Sequence, residues 1–310
     1  MKYRLFGRTA INTSTISMGT NRLGDPGEDP AQWPPIVERA IELGINFFDT
    51  AHMYNEGRSE EVLGNVMAGR SEPIYFNTKT GMAGPDDDKS VRPFSGALIL
   101  AQVENSLRRL KRDYLDMYLL HSPNVGQLES EDWAETFAKL RQQGKIRWYG
   151  ISTRDHASGI TAIRMGADIL QVEYDMLFPT AEDELLPLAI KHHVGVMVRT
   201  PLARGLLTGK FAPGQPLPPE QQWRRPKGDQ LQLRLARIEQ LRFLERPGQT
   251  MAEAALRFVL AHSGVHCAVP GARTVVQLEA NVRAGDAELT PEELKRIQAL
   301  HSTWRAEGKW

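Results

Sequence analysis

The sequence is short of the features that would carry it out of the cell or into a membrane. Its 310 residues contain one cysteine, Cys267, which excludes an internal disulfide. No run of about eighteen apolar residues occurs, and Met1-Lys2-Tyr3-Arg4-Leu5-Phe6-Gly7-Arg8 lacks the apolar core of a signal peptide. The expected compartment is the cytoplasm. Charge of one sign is not in excess either: 38 basic residues meet 38 acidic ones, so neither nucleic acid nor an acidic membrane is expected as a partner. No Gly-x-Gly-x-x-Gly follows the first expected strand, which argues against an open dinucleotide-binding sheet. Gly205-Leu206-Leu207-Thr208-Gly209-Lys210 has one residue too few between its glycines for a P-loop, and Phe211 stands where Ser or Thr belongs. Metal-ligand spacing is missing as well. His192-His193 have no acidic or cysteine partner, and Gly264 interrupts the helix that would align His262 with His266, so no metal is expected. Cys267 lies in the apolar run Val265 to Val269 and reads as a buried, inert thiol.

What is present is a long alternation of helix and strand patterns. After a small N-terminal hairpin over residues 1–12, turning at Gly7-Arg8-Thr9, a first strand runs from Thr15 to Met18. Helical spacing at Ile36, Ala40 and Leu43 then precedes Ile45–Phe48; Val62 and Val66 precede Ile74–Asn77; Val103, Leu107 and Leu110 precede Leu115–Leu120. The same switch recurs before Ile146–Ile151, Ile169–Glu173, Val194–Val198 and His266–Val269. Repeated about eight times, it predicts parallel strands joined by helical crossovers. Thr250 with Glu253, Thr274 with Gln277 and Thr290 with Glu293 have capping-box spacing, and Ser59 is the expected start of the helix after the second strand. Ala212 to Asp229, with five prolines, reads as a long loop. Nothing marks a linker, so one domain spanning 1–310 is expected.

Chemistry-bearing residues gather at the strand ends. Phe47-Phe48 runs into Asp49 with Tyr54 in the following loop, Ile74–Thr78 runs into Lys79, and Leu115–Leu120 runs into His121. Candidates after nearly every strand suit the mouth of a closed barrel better than the single switch point of an open sheet. Tyr54 can protonate a carbonyl oxygen; an ammonium beside a phenol favours the phenolate, and Lys79 is the candidate. Asp49 can serve the lysine as counter-ion, and His121, as a neutral imidazole, can donate a hydrogen bond to the substrate oxygen. Hydride has to come from a cofactor, because no side chain supplies it. The turn Val269-Pro270-Gly271-Ala272-Arg273-Thr274, running from a strand into a capped helix, is a candidate phosphate site, with Arg273 suited to a 2′-phosphate.

FDTAHMY at 48–54, NTKTG at 77–81, LLHSP at 119–123, GIST at 150–153, QVEYD at 171–175, PLARGLLTGKF at 201–211 and VPGARTVVQLEAN at 269–281 together resemble the aldo-keto reductase superfamily. The resemblance implies a (β/α)8 TIM barrel with an N-terminal β-hairpin and extra C-terminal helices, acting as an NADPH-dependent oxidoreductase on a small-molecule carbonyl substrate. It assigns catalysis to Asp49, Tyr54, Lys79 and His121. It assigns the nicotinamide carboxamide to Ser152 and Gln171, the pyrophosphate to Leu202 through Arg204 and Gly205, and the adenosine end to Gly271, Arg273, Gln277 and Asn281. Gly19, Thr20, Asp49, Thr153, Arg199, Thr200 and Lys210 complete the expected cofactor contacts. Thr153, Arg199 and Ala280 depart from the residues common in the family, which bears on cofactor preference more than on reaction type. Two other readings are weighed against this one: a nucleotide-binding regulatory subunit of the same fold, and a barrel glycoside hydrolase using Asp49 and Glu173 as paired carboxylates. Substrate specificity is expected from the loops at about Gly81–Pro93, Asn124–Ser130 and Ala212–Asp229 and from the tail bearing Trp304 and Trp310.

Overall fold

A computed structural model describes residues 1–84, 87, 90–214, 217 and 227–308. Strands β1 (Tyr3–Leu5) and β2 (Asn12–Ser14) form the expected antiparallel hairpin. The remaining strands build one parallel sheet in chain order: β3 (Met18–Gly19), β4 (Phe47–Asp49), β5 (Tyr75–Thr80), β6 (Leu115–His121), β7 (Ile146–Ser152), β8 (Ile169–Glu173), β9 (Gly195–Arg199) and β10 (Cys267–Val269). The sheet curls until its ends meet. Ser17 N–H donates to Ala268 O at 2.9 Å, Ala268 N–H to Thr15 O at 2.9 Å and Gly19 N–H to Pro270 O at 3.0 Å. Closure leaves no open edge, and the fold is the expected (β/α)8 barrel.

Strand alternation divides the apolar residues into two layers. Phe47, Met117, Leu119, Ile169, Met197, Cys267 and Val269 pack inside the barrel. Their immediate neighbours Phe48, Tyr118, Leu120, Leu170, Val196 and Val198 pack outward against the helices. Phe6 from the hairpin plugs the inner layer at the N-terminal end, 5.7 Å from Phe47 ring to ring. It lies against Gly195, where an added Cβ would come within 2.5 Å of the Phe6 ring. At the other end the inward positions turn polar, and that end is the mouth.

The crossover helices are α1 (Trp33–Glu42), α2 (Arg58–Met67), α3 (Gly96–Leu110), α4 (Val125–Ser130), α5 (Trp133–Gln142), α6 (His156–Arg164), α7 (Leu185–Lys191), α8 (Gly228–Gln240), α9 (Met251–Ala261) and α10 (Val275–Ala284), with α11 (Pro291–Ala306) packed outside through Ile297 and Trp304. Thr250–Glu253 and Thr290–Glu293 close as reciprocal capping boxes. Thr274 caps α10 by accepting from Gln277 N–H, but the Gln277 side-chain Oε1 accepts from Arg273 N–H instead of from Thr274 N–H, at 2.9 Å.

Three expectations need correcting. Ser59 does not open α2; Gly57, at φ 85°, precedes Arg58 there, and Ser59 is buried with its hydroxyl on Thr20 and Thr50. Asn124–Ser130 is not a loop, because Asn124 and Gln127 form a capping box that starts α4. The stretch expected to stay irregular through Asp229 gives way to α8 at Gly228, with Asp229 in the first turn where the helix dipole favours an acid. Most of the rest of that stretch lies outside the described residues, as do parts of Gly81–Pro93 and Trp310.

Candidate active site

The strand pleat aims Asp49, Lys79 and His121 into the barrel mouth from β4, β5 and β6, three neighbouring strands. Lys79 is fully buried. Its ammonium donates to Thr50 O at 2.6 Å, pairs with Asp49 Oδ1 at 2.8 Å and reaches Tyr54 Oη at 3.3 Å. Burial pushes such an ammonium toward losing its proton, yet Asp49 and Tyr54 outweigh it, and the Lys79 pKa ends above its ordinary value. Asp49 Oδ1 also receives Asn77 Nδ2 at 2.6 Å and Gln171 Nε2 at 2.8 Å. One carboxylate oxygen thus joins three strands.

Tyr54 is brought to this cluster by a turn. Its N–H donates to Ala51 O at 2.9 Å, and Asn55 and Glu56, next in sequence, adopt left-handed backbone at φ 48° and 59°. Non-glycine residues pay for that conformation, so other contacts must hold it. One of them is Asn55 Nδ2 on Leu23 O at 2.7 Å. The Tyr54 ring stands edge-on to His121, with centroids 5.8 Å apart, and Lys79 Nζ lies 4.8 Å from its centre. The four expected catalytic side chains are therefore in one place.

On the other half of the mouth the arrangement is looser. Ser152 at the end of β7, Thr153 just past it and Gln171 in the middle of β8 are buried, with Thr153 N–H on Gln171 O at 2.8 Å. Arg199, at the end of β9, pairs with Glu173 at 3.0 Å and donates to Thr153 O at 3.3 Å. Arg204 reaches the same Glu173 at 3.5 Å. Thr200, Ala203 and Arg204 are all left-handed, so the chain after β9 folds into tight turns, from Leu202 past Gly205, before exposed Lys210. Next to it, Gly271 bridges to Gly19, Asn281 Nδ2 holds Gly271 O at 3.2 Å, and Arg273 and Gln277 lie exposed at the start of α10. Thr20 is engaged within the protein, its hydroxyl on Asp49 O at 2.9 Å and beside Ser59 at 2.8 Å.

These residues fit a phosphorylated dinucleotide by their own chemistry. A capped helix start, an exposed guanidinium and the open face over Gly271, where an added Cβ would meet nothing nearer than 3.7 Å, lie beside one another. The pairing expected of a hydrolase is not formed: Asp49 faces Lys79, and Glu173 is taken up by Arg199 and Arg204. Sequence reasoning missed Asn77 and Thr50. Period two from Lys79 already placed Asn77 inward; the Thr50 contribution is a backbone carbonyl and leaves no trace in residue type.

A profile of the Aldo/keto reductase family matches residues 15–302. The chain belongs to that family. Among its relatives, the aldo/keto reductase chain is 32% identical over 308 residues to the uncharacterized oxidoreductase YqkF of Bacillus subtilis, covering 96% of each. It is similar to the solved holo form of the aldo-keto reductase AKR11C1 from Bacillus halodurans, at TM-score 0.80 and 33% identity over 97% of this chain and 96% of that one. A probable voltage-gated potassium channel subunit beta of Arabidopsis thaliana is 28% identical, over 97% of this chain and 96% of its own length. Family members are oxidoreductases of small carbonyl compounds, and among the described residues no helix is long and apolar enough to cross a membrane.

Proposed function

We propose that this aldo/keto reductase reduces the carbonyl of a small aldehyde or ketone with NADPH, and that Tyr54 donates the proton. The observation that carries the reading is the Tyr54 Oη placed 3.3 Å from a buried ammonium that itself rests on Asp49 at 2.8 Å. A phenol is a sluggish acid near neutrality, and a neighbouring cation eases its proton loss to a carbonyl oxygen that gathers negative charge. Asp49 keeps Lys79 charged against the cost of its burial. His121, edge-on to Tyr54, is placed to orient the same oxygen by hydrogen bonding.

NADPH, when bound, supplies the hydride. Ser152, Thr153 and Gln171 would hold its carboxamide end, with Arg199 beside them. Thr200, Leu202, Arg204, Gly205 and Lys210 would follow the phosphates. Gly271, Arg273, Gln277 and Asn281 would take the adenosine end, and Gly19 and Thr20 would line the cofactor between the two ends. Because Gln171 also donates to Asp49 at 2.8 Å, the two halves of the mouth share one hydrogen-bond system.

The test is NADPH oxidation against aldehydes, ketones, quinones and sugars by the wild-type chain and Tyr54→Phe. Turnover should fall by ~10²–10⁴ in the variant while NADPH affinity holds. Unchanged turnover would remove Tyr54 from the reaction. The likeness to a potassium channel β subunit favours a second reading, a nucleotide-binding regulatory protein. That reading expects NADPH binding with no carbonyl turned over.

A further inference from the structure

A second buried polar network lies behind the Tyr54 turn, and the tetrad takes no part in it. At its centre is His52, two residues before Tyr54 and 1% exposed. Its Nε2 lies 2.9 Å from Asp87 Oδ2 and its Nδ1 3.2 Å from Arg109 Nη1. A guanidinium only donates, so Nδ1 accepts and Nε2 carries the proton directed at Asp87. Both arms of the network return to β5. On one side Arg109 pairs with Glu60 at 3.5 Å, and Glu60 accepts from the Thr78 hydroxyl at 2.6 Å. On the other, Asp87 accepts from Gln102 Nε2 at 2.6 Å, and Gln102 Oε1 accepts from the Thr80 hydroxyl at 2.6 Å. Thr78 and Thr80 are the two neighbours of Lys79. A ring of contacts thus leaves one side of the lysine, passes through His52 and comes back on the other side.

We propose that His52 is a positioning residue, which fixes the Tyr54 turn against the strand carrying Lys79 and so sets the contact between phenol and ammonium. This rests on the reading of Tyr54 as proton donor. The turn is also tied by Asn55 Nδ2 to Leu23 O at 2.7 Å and by the His52 N–H to Lys79 O at 3.2 Å, and it needs such ties because Asn55, Glu56 and Gly57 are left-handed in succession, at φ 48°, 59° and 85°. Arg109 fills the space over Gly57 so closely that a Cβ there would lie 2.3 Å from its guanidinium carbon. The same arginine that donates to His52 therefore also backs the end of the turn. Displacing a reacting group by about an ångström costs on the order of 10² in rate, so a residue that touches neither substrate nor cofactor governs turnover here.

The experiment compares His52→Leu, His52→Gln, Asp87→Ala, Tyr54→Phe and the double variant Tyr54→Phe/His52→Leu, using NADPH and whichever carbonyl the wild-type chain turns over best. Asp87→Ala leaves His52 in place and keeps the test open should His52→Leu fail to fold. Expected for both His52→Leu and Asp87→Ala is a kcat lower by about 10- to 100-fold, per folded molecule, with KM and NADPH Kd within about two-fold of wild type. His52→Gln keeps a donor for Asp87 and should recover most of the turnover. The double variant should lose no more than Tyr54→Phe alone, because His52 acts through Tyr54. Undiminished kcat in His52→Leu and Asp87→Ala beside an inactive Tyr54→Phe overturns this inference alone, as does a loss that tracks the folded fraction or that adds fully to Tyr54→Phe. Undiminished turnover by Tyr54→Phe, or no turnover by the wild-type chain, overturns the underlying reading and this inference with it.

Discussion

Two buried aspartates stand at the barrel mouth, and they are solved differently. Asp49, at the end of β4, is 4% exposed and meets an ammonium and two side-chain amides. Asp175, just past the end of β8, is 2% exposed and meets two backbone N–H groups, of Leu177 at 2.8 Å and Phe178 at 3.1 Å. Burial pushes the Asp175 carboxyl up to about 7, with Glu173 adding to the rise and Arg234 opposing it. An internal cation thus lets the half around Tyr54 bury Asp49 in an ion pair. The half proposed for the cofactor has its cations at the rim, where they are half-exposed and paired with Glu173. The first half meets its buried charges with one another; the second keeps its arginines at the surface, where a further anion can reach them.

The largest way to break this comparison is to remove the internal counter-ion. Asp49→Ala leaves Lys79 buried beside Thr50 O alone among its strong acceptors, and loss of one partner from a buried pair costs about 3–5 kcal/mol. Urea denaturation should show that loss. Asp49→Leu combined with Lys79→Met should recover much of the stability without recovering turnover, since the interior then carries no unpaired charge.

Asp175 should behave in the opposite sense. Its folded pKa lies above the unfolded value, so between about pH 4 and 7 the folded state holds the extra proton, and stability falls as pH rises through that window. A rise from 3.8 to about 7 is worth about 4 kcal/mol at most. Asn at 175 can still accept from both N–H groups and has no charge to desolvate. Asp175→Asn should therefore flatten the pH dependence of the denaturation midpoint between pH 4 and 7 and be the more stable protein above it. An unchanged slope would mean Asp175 is solvated or paired in solution.

The same division explains what the sequence disclosed. The barrel was legible because its signals are local: short apolar runs such as Ile45–Phe48, period 3.6 in Ile36, Ala40 and Leu43, and paired Thr–Glu caps. Asp49, Lys79 and His121 were legible because a strand end fixes direction as well as position. Ser59 misled because a serine before two glutamates resembles a cap, while the chain reversal was made by Gly57 and the hydroxyl was drawn to Thr20 and Thr50 from other elements. The ring through His52, Arg109 and Asp87 was not legible at all. Its members are separated by 57 and 35 residues, and only the pairing of β4 with β5 and the packing of α3 beside them bring them together.

The smallest of these effects sharpens the cofactor side. Arg273 is exposed at the start of α10, beside Gly271 and the cap of Thr274. No buried partner among the described residues depends on it, so Arg273→Ala should leave stability within about 0.5 kcal/mol of wild type, as for surface substitutions generally. Its effect should appear only on binding. A guanidinium meeting a 2′-phosphate forms a charge-assisted contact worth about 1.5–3 kcal/mol, and NADH has no such group. Arg273→Ala should therefore weaken NADPH by roughly 10- to 100-fold in a fluorescence titration and leave NADH nearly unmoved. Equal losses for both nucleotides would place Arg273 away from the 2′-phosphate. No loss for either would leave the adenosine end to Gln277 and Asn281, and would move the preference for NADPH to the arginines after β9.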